Sequence, residues 1–184
     1  MSAQINKLYD LINKSSLTLI GYSFKDEMIK DKLISKLNPY FIESIDDEFS
    51  LTSYIRDLKI NEILSSKHYF GGNFLVVDTN IISIPIDRNA FVGVNKAKFL
   101  RKLSEDLRVA SKLLGYIPIM TAPLYQSVSY DNGVHNFSGG SGPMYVSDLV
   151  ITFNNKKSKL QVIKNRNGDN FDISYDELKS FLYI

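Results

Sequence analysis

A glycine-rich stretch that runs directly into a strongly apolar one constrains the fold more than any other segment. Three glycines crowd positions 139–142, and residues 149–153 are almost all β-branched or apolar. Glycine suits loops and turns, whereas a β-branched apolar run suits a buried strand. A second apolar run follows at residues 160–164. We therefore expect the C-terminal part of the chain to be a glycine-rich loop and turn, followed by strands.

Apolar runs and amphipathic stretches alternate in the rest of the chain. The predicted strands cover residues 17–21, 39–45, 74–78 and 116–122, and the predicted helices cover 26–37, 51–64 and 96–114. Such alternation is typical of an α/β fold whose mostly parallel central sheet is flanked by helices. Gly115 is placed to end the third helix, and a turn at Asn167 and Gly168 predicts a C-terminal β-hairpin. A terminal helix over 175–182 begins after Ser174, a predicted N-cap.

Length and composition describe an ordinary globular chain. Its 184 residues fit one domain, which we divide into an N-terminal helical arm at 1–16 and a core at 17–184. The absence of cysteine excludes disulfides and thiolate metal sites. No apolar run has the length of a membrane span and no signal peptide is recognisable, so we expect no membrane partner and a cytoplasmic location. A net charge of +2 neither requires nor excludes DNA binding.

The order of these elements resembles a RecA-type recombinase or helicase ATPase core, most closely the phage (T-even type) RecA-like recombinases. The resemblance spans residues 17–168, and its most specific parts are Gly-Gly-Ser-Gly-Pro-Met-Tyr at 139–145 and Asp-Asp-Glu-Phe at 46–49. It implies a RecA-like P-loop NTPase fold and, for a phage protein, the host cytoplasm. It also implies that the helix at 3–14 docks on a neighbouring subunit, although packing on its own domain suits its apolar spacing equally.

The phosphate-binding position departs from the family pattern. A P-loop requires Gly-x-x-x-x-Gly-Lys-Ser/Thr, in which backbone amides and lysine hold phosphate and the hydroxyl holds Mg²⁺. Counted from Gly21, the last three positions are Asp26, Glu27 and Met28. The two carboxylates would repel a polyphosphate, so we expect a degenerate Walker A motif and no cofactor. If the site still functions, ATP and Mg²⁺ would bind there through Gly21 and Lys25.

The resemblance assigns further residues to an ATPase site. Asp78 ends the strand that matches Walker B and would hold Mg²⁺ through water. Glu48 matches the glutamate that orients the attacking water, although its acidic segment also suits a solvated loop that caps the next helix. Gln126 is the candidate sensor, and it falls a little late in the chain, after Pro123. Glu48 and Gln126 are therefore vestigial catalytic candidates.

Two loops match the DNA-binding loops of the family. Arg88 lies in the first, and Tyr130, His135 and Phe137 lie in the second, at 127–142. Aromatic rings stack on bases with little sequence preference, which makes single-stranded DNA a candidate partner. The second loop has no Lys or Arg, however, and a glycine-rich segment of this kind is also typical of a mobile loop.

The hairpin carries a further candidate site. Lys164 and Arg166 match residues with which hexameric RecA-fold helicases reach the γ-phosphate of a neighbouring subunit. They are therefore candidate trans-interface residues. The alternative is that they form the polar end of a hairpin in water.

We expect a non-hydrolysing RecA-fold protein of phage DNA recombination or replication. Its partners would be an active RecA-fold ATPase or another replication or recombination protein, single-stranded DNA, or a second copy of the chain. One alternative is an active ATP-dependent recombinase or helicase-like DNA-binding ATPase that uses Lys25. Another is a structural or inhibitory protein-interaction module, since a fold does not fix a function.

Overall fold

A seven-stranded sheet runs through the part of the chain that the computed structural model describes, namely residues 3–42, 74–80, 92–124, 137 and 140–183. The strands are β1 Thr18–Tyr22, β2 Tyr40–Phe41, β3 Phe74–Asp78, β4 Ile117–Pro123, β5 Leu149–Asn154, β6 Lys159–Asn165 and β7 Asp172–Ser174. Their order is β2-β3-β4-β1-β5-β6-β7. The pairs among β1 to β5 are parallel, whereas β6 pairs antiparallel with β5 and with β7. The predicted fold class, a mostly parallel α/β sheet with a C-terminal hairpin, is confirmed.

Helices cover both faces of this sheet. They are α1 Ala3–Lys14, α2 Glu27–Ser35, α3 Val92–Leu114, α4 Gly142–Val146 and α5 Tyr175–Leu182. Apolar residues of α1, α2 and α5 share one core cluster, and those of α3 pack in a second cluster. The sheet residues alternate between the two clusters, as Leu19 and Ile20 do, because successive side chains of a strand point to opposite faces. Burial on both faces explains why β1 reads as a continuous apolar run.

The N-terminal helix packs on its own sheet. Ile5, Leu8, Leu11 and Ile12 recur at helical spacing and are buried in the first core cluster. Of the two placements considered for this helix, the structure therefore shows the one within its own chain. The division into an arm and a core stays a prediction. No helix of the described residues has the length and hydrophobicity that a membrane span requires.

Local signals set several element boundaries. Gly115 follows α3 with a φ of 73°, a left-handed conformation that glycine adopts easily, so its predicted role is confirmed. Ser174 Oγ accepts a hydrogen bond from the amide of Glu177 at 3.2 Å, which confirms the predicted N-cap of α5. The predicted helix at 51–64 lies outside the described residues.

One element differs from the expectation. Residues 142–146, predicted as part of a loop and turn, form the short helix α4. Proline is tolerated in the first turn of a helix, where its missing N–H would have no helical partner, and Pro143 takes such a position. Ser147 Oγ donates back to the Pro143 carbonyl at 2.8 Å and closes the turn. A helix of little more than one turn is too short to show a 3.6-residue period in its sequence.

Candidate functional site

The site lies at the edge of the sheet where β1 and β3 end. Parallel strands place their carboxyl ends at the same edge, which is where ligands of open α/β sheets bind. Tyr22 is the last residue of β1 and Asp78 is the last residue of β3. Both strands pair with β4, in which Pro123 lies opposite Tyr22 and Thr121 lies opposite Asp78. The topology therefore brings Tyr22 and Asp78 to the two sides of one strand.

Four polar side chains meet at this edge, Tyr22, Lys30, Asp78 and Asn80, and we call them the Asp78 cluster. The Tyr22 hydroxyl donates to Asp78 Oδ2 at 3.3 Å, and the Asn80 backbone amide donates to Asp78 Oδ1 at 2.8 Å. Asn80 Nδ2 donates to the Tyr22 hydroxyl at 2.8 Å. Lys30 Nζ lies 3.5 Å from Asp78 Oδ2 and 4.0 Å from the centre of the Tyr22 ring. Both oxygens of the predicted metal residue are therefore engaged by groups of the protein itself.

The Tyr22 phenol is held in its protonated form. Burial raises the pKa of Tyr22, and the carboxylates of Asp78 and Glu27 raise the pKa further because a phenolate beside them would be repelled. A protonated phenol can donate to Asp78 while it accepts from Asn80. The cluster is thus a consistent chain of donors and acceptors around one carboxylate.

The P-loop position is occupied by an inward-facing carboxylate. A 3₁₀ turn at Phe24–Asp26 leads into α2, and Asp26 is fully buried there. Ser23 Oγ donates to Asp26 Oδ2 at 2.6 Å, and the Tyr175 hydroxyl donates to Asp26 Oδ1 at 2.7 Å. Tyr175 is the first residue of α5, so Asp26 ties the start of α2 to the C-terminal helix.

The neighbours of Asp26 point outward to different degrees. Lys25 is exposed, Glu27 is half-buried and Met28 is exposed over 63% of its surface. The predicted candidates of the P-loop therefore separate in space. The carboxylate at the second glycine position of the motif faces the interior, and the only predicted cation, Lys25, faces water.

Gly21 is required by packing in this structure. A Cβ at Gly21 would lie 2.6 Å from Phe137 Cε1 and 2.9 Å from Leu124 Cδ2, which is closer than real side chains approach. Phe137 is 2% exposed, and its backbone forms a bridge with Leu124. The ring therefore lies in the core and not at the surface, where the sequence placed it as a base-stacking group. An apolar ring gains more by filling the space beside a glycine than by exposure to water.

The candidate trans-interface residues contact their own chain at another edge of the sheet. Lys164 Nζ donates to the carbonyls of Met144 and Tyr145 at 2.8 and 2.9 Å. Arg166 donates to Asp148 Oδ1 and to the Tyr145 carbonyl, both at 3.0 Å. Cations suit these positions because helix carbonyls carry partial negative charge at the C-terminus. Asp148 immediately precedes β5, so this group lies at the amino ends of the parallel strands, opposite the Asp78 cluster.

Arg108 joins the same group. Arg108 Nη2 lies 3.3 Å from Asp148 Oδ1, the oxygen that also binds Arg166. Burial lowers the pKa of Lys164, the nearby Arg166 lowers it further, and the Asp148 carboxylate opposes both effects. The contact across a subunit interface stays a prediction for Lys164 and Arg166. A cavity of about 450 Å³ opens beside this group between α3 and α4, with Arg101, Arg108 and Tyr145 in its wall.

Several predicted residues fall outside the part of the chain that the structure describes. They are Glu48, Arg88, Gln126, Tyr130 and His135. Their assigned roles in catalysis and DNA binding stay predictions.

Sequence reasoning missed Lys30, Tyr22, Asn80 and Tyr175. A signal existed for Lys30, because it shares the buried side of α2 with Ile29, Leu33 and Ile34, and a lysine among such residues requires a buried partner. Tyr22 and Asn80 follow strand ends and could have been included on that ground. Tyr175 contacts a residue 149 positions away, and no local pattern indicates that pairing.

The residues at this edge do not fit the Mg²⁺ and ATP site that the family pattern implies. Asp26 is buried at a cradle position, and Asp78 pairs with an ammonium and two hydrogen-bond donors. Within residues 3–42, 74–80, 92–124, 137 and 140–183, no three His, Cys, Asp or Glu side chains gather in a way that could hold a metal ion.

Comparison with known proteins gives one structural similarity. No protein-family model matches this sequence, and no curated protein sequence matches it. Among solved structures, the chain is similar to the ATPase domain of a DnaB-like replicative helicase, at 12% sequence identity and a TM-score of 0.47. That similarity covers 88% of this chain and 82% of the solved one.

Proposed function

We propose that this chain is a RecA-fold protein of phage DNA recombination or replication that does not hydrolyse ATP and acts by binding a protein or single-stranded DNA. The buried Asp26 carries the proposal. It stands where the P-loop pattern has its second glycine, and its carboxylate accepts hydrogen bonds from Ser23 and Tyr175. The element order and the motifs that resemble a RecA-type core supply the fold and the biological setting.

The donors of the loop point the wrong way for phosphate. In a P-loop, backbone amides and a lysine point outward at the ligand. Here the amide and the hydroxyl of Ser23 both point at Asp26 Oδ2, at 3.4 and 2.6 Å. A phosphate placed nearby would meet the charges of Asp26 and Glu27 instead. Repulsion between two unit charges about 4 Å apart amounts to roughly 1 kcal/mol in water and roughly 4 kcal/mol near a protein surface.

Exposed apolar side chains beside the site favour a protein partner. Phe24 is 85% exposed and Met28 is 63% exposed, and they lie four residues apart at the start of α2. Single exposed apolar residues are normal on protein surfaces, but a pair at the edge of a closed ligand site is more informative. The pair supports docking on an active RecA-fold ATPase or another protein of replication or recombination.

The alternative of an active ATPase draws on Lys25. This lysine is exposed next to the amino end of α2, where an anion would be attracted by the helix. If Lys25 bound the phosphates, Lys25→Ala would abolish nucleotide binding. Lys157→Ala, which removes an exposed lysine after β5, is the matched control.

Nucleotide binding and turnover test the proposal. ATP or ADP with Mg²⁺ at millimolar concentration should leave the melting temperature unchanged, and ATP should not be hydrolysed. A ligand present at 100 times its dissociation constant would stabilise the fold by about 2.7 kcal/mol, or roughly 5–11 °C for a chain of this size. ATP turnover by the parent protein that disappears in Asp78→Ala would overturn the proposal.

A further inference from the structure

We propose that Lys30 takes the place of a divalent cation at Asp78, so that an internal ammonium closes this site to metal ions. The inference rests on the proposed function in one respect, since it treats Asp78 as the residue that would otherwise hold the metal. It goes further by naming the group that replaces the metal and by predicting that its removal creates metal affinity.

The position of the ammonium supports this role. Lys30 Nζ lies 3.5 Å from Asp78 Oδ2 and 3.0 Å from Asp31 Oδ1, above the face of the Tyr22 ring. The Lys30 side chain is 5% exposed, and the Asp78 side chain is 27% exposed. Asp31 is mostly in water, where an ion pair contributes little. Asp78 and the Tyr22 ring are therefore the partners that make the burial of Lys30 tolerable.

The rest of the cluster completes the shell of the carboxylate. Asp78 Oδ1 is taken by the Asn80 amide, and Oδ2 is shared by the Tyr22 hydroxyl and Lys30. A metal ion at Oδ2 would bring two positive charges within a few ångströms of the ammonium. Its repulsion from Lys30 would be twice that between unit charges at the same distance. Charge, together with the occupied lone pairs, thus excludes the metal.

Removing the ammonium should reverse this exclusion. Lys30→Met keeps a long unbranched side chain but removes the charge, which leaves Asp78 and Asp31 as two unneutralised carboxylates. Hard divalent cations prefer such oxygen ligands. Lys30→Arg keeps the positive charge and is the matched control.

Binding of Mn²⁺ alone, followed by electron paramagnetic resonance and by thermal shift, tests the inference. Lys30→Met should bind Mn²⁺ at least about tenfold more tightly than the parent protein and the Lys30→Arg variant, and Lys30→Met/Asp78→Asn should lose the gain. Equal Mn²⁺ affinity in the parent and in Lys30→Met would overturn the inference. So would a gain that survives Asp78→Asn.

A second measurement applies if Lys30→Met does not fold. Asp78→Asn in the parent should lower stability without any metal, because it leaves a buried ammonium without its charged partner. If Lys30 were a bystander, that substitution would change stability little in metal-free buffer. Neither measurement involves ATP, so a failure here differs from a failure of the proposed function, which would appear as ATP turnover.

Discussion

The contact between Tyr175 and Asp26 gives the most direct test of how the phosphate position is closed. Tyr175→Phe removes one hydroxyl and keeps the ring, which lies beside Phe153 with the ring centres 6.4 Å apart. The lost hydrogen bond is short, 2.7 Å, and its acceptor Asp26 is fully buried. Hydrogen bonds to charged groups contribute about 1.5–3 kcal/mol, and water cannot easily replace a donor at a buried acceptor.

The expected loss of stability is therefore about 1.5–3 kcal/mol. A change of 1 kcal/mol shifts the melting temperature of a chain of this size by about 2–4 °C, so the variant should melt roughly 3–12 °C lower. Urea denaturation measures the free energy of unfolding, and thermal melting gives an independent value. Tyr183→Phe is the control, because Tyr183 is 53% exposed and its variant should remain within about 0.5 kcal/mol of the parent.

A double-mutant cycle identifies the partner. Asp26→Asn combined with Tyr175→Phe should destabilise less than the sum of the two single changes, with a coupling of at least about 1 kcal/mol. Strict additivity would mean that the two side chains do not interact. A neutral Tyr175→Phe would mean that the Asp26 carboxylate is not held inward, and the argument that it closes the phosphate position would fail.

Three further predictions test the surroundings. Gly21→Ala should cost about 1–3 kcal/mol in urea denaturation because its methyl group would overlap the Phe137 ring, and an unchanged stability would refute that packing. Ser174→Ala should cost about 0.5–2 kcal/mol, measured by circular dichroism melting, since it removes the N-cap of α5. Burial raises the pKa of Tyr9 from 10.0 to about 12, so the folded state keeps a proton that the unfolded state loses. Its contribution is complete below pH 10 and declines as the pH rises through about 12, and denaturation curves of Tyr9→Phe should be less sensitive to pH in that window.

Periodic apolar patterns made most of the described fold predictable. The strand predicted at 17–21 is observed at Thr18–Tyr22, and the helix predicted at 96–114 is observed at Val92–Leu114. These elements bury one stripe or two faces against the sheet, and burial of that kind leaves a regular trace in the sequence. The cap at Ser174 and the glycine at 115 were predictable because each depends only on residues a few positions away.

The candidate site was less predictable because its contacts are distant in sequence. Asp26 and Asp78 were recognised from their position after a strand, but their partners were not. Tyr175 reaches Asp26 from the far end of the chain, and Lys30 reaches Asp78 across 48 positions. The ring of Phe137 shows the same limit, since an aromatic residue in a glycine-rich segment has the same sequence pattern whether it is exposed or covers a glycine.

The charges at the start of α2 are reversed relative to a phosphate site, and the reversal is physically coherent. The P-loop pattern places its lysine where this chain has Glu27, and an acidic residue there suits the partial positive charge of a helix N-terminus. The lysine that is buried in this helix lies three positions later and pairs with Asp78. A carboxylate without a metal would repel Glu27 and Asp31, so an internal cation stabilises the cluster when no metal is bound. Asp26 and Lys30 therefore make complementary contributions, one by filling the phosphate position and the other by neutralising the metal position.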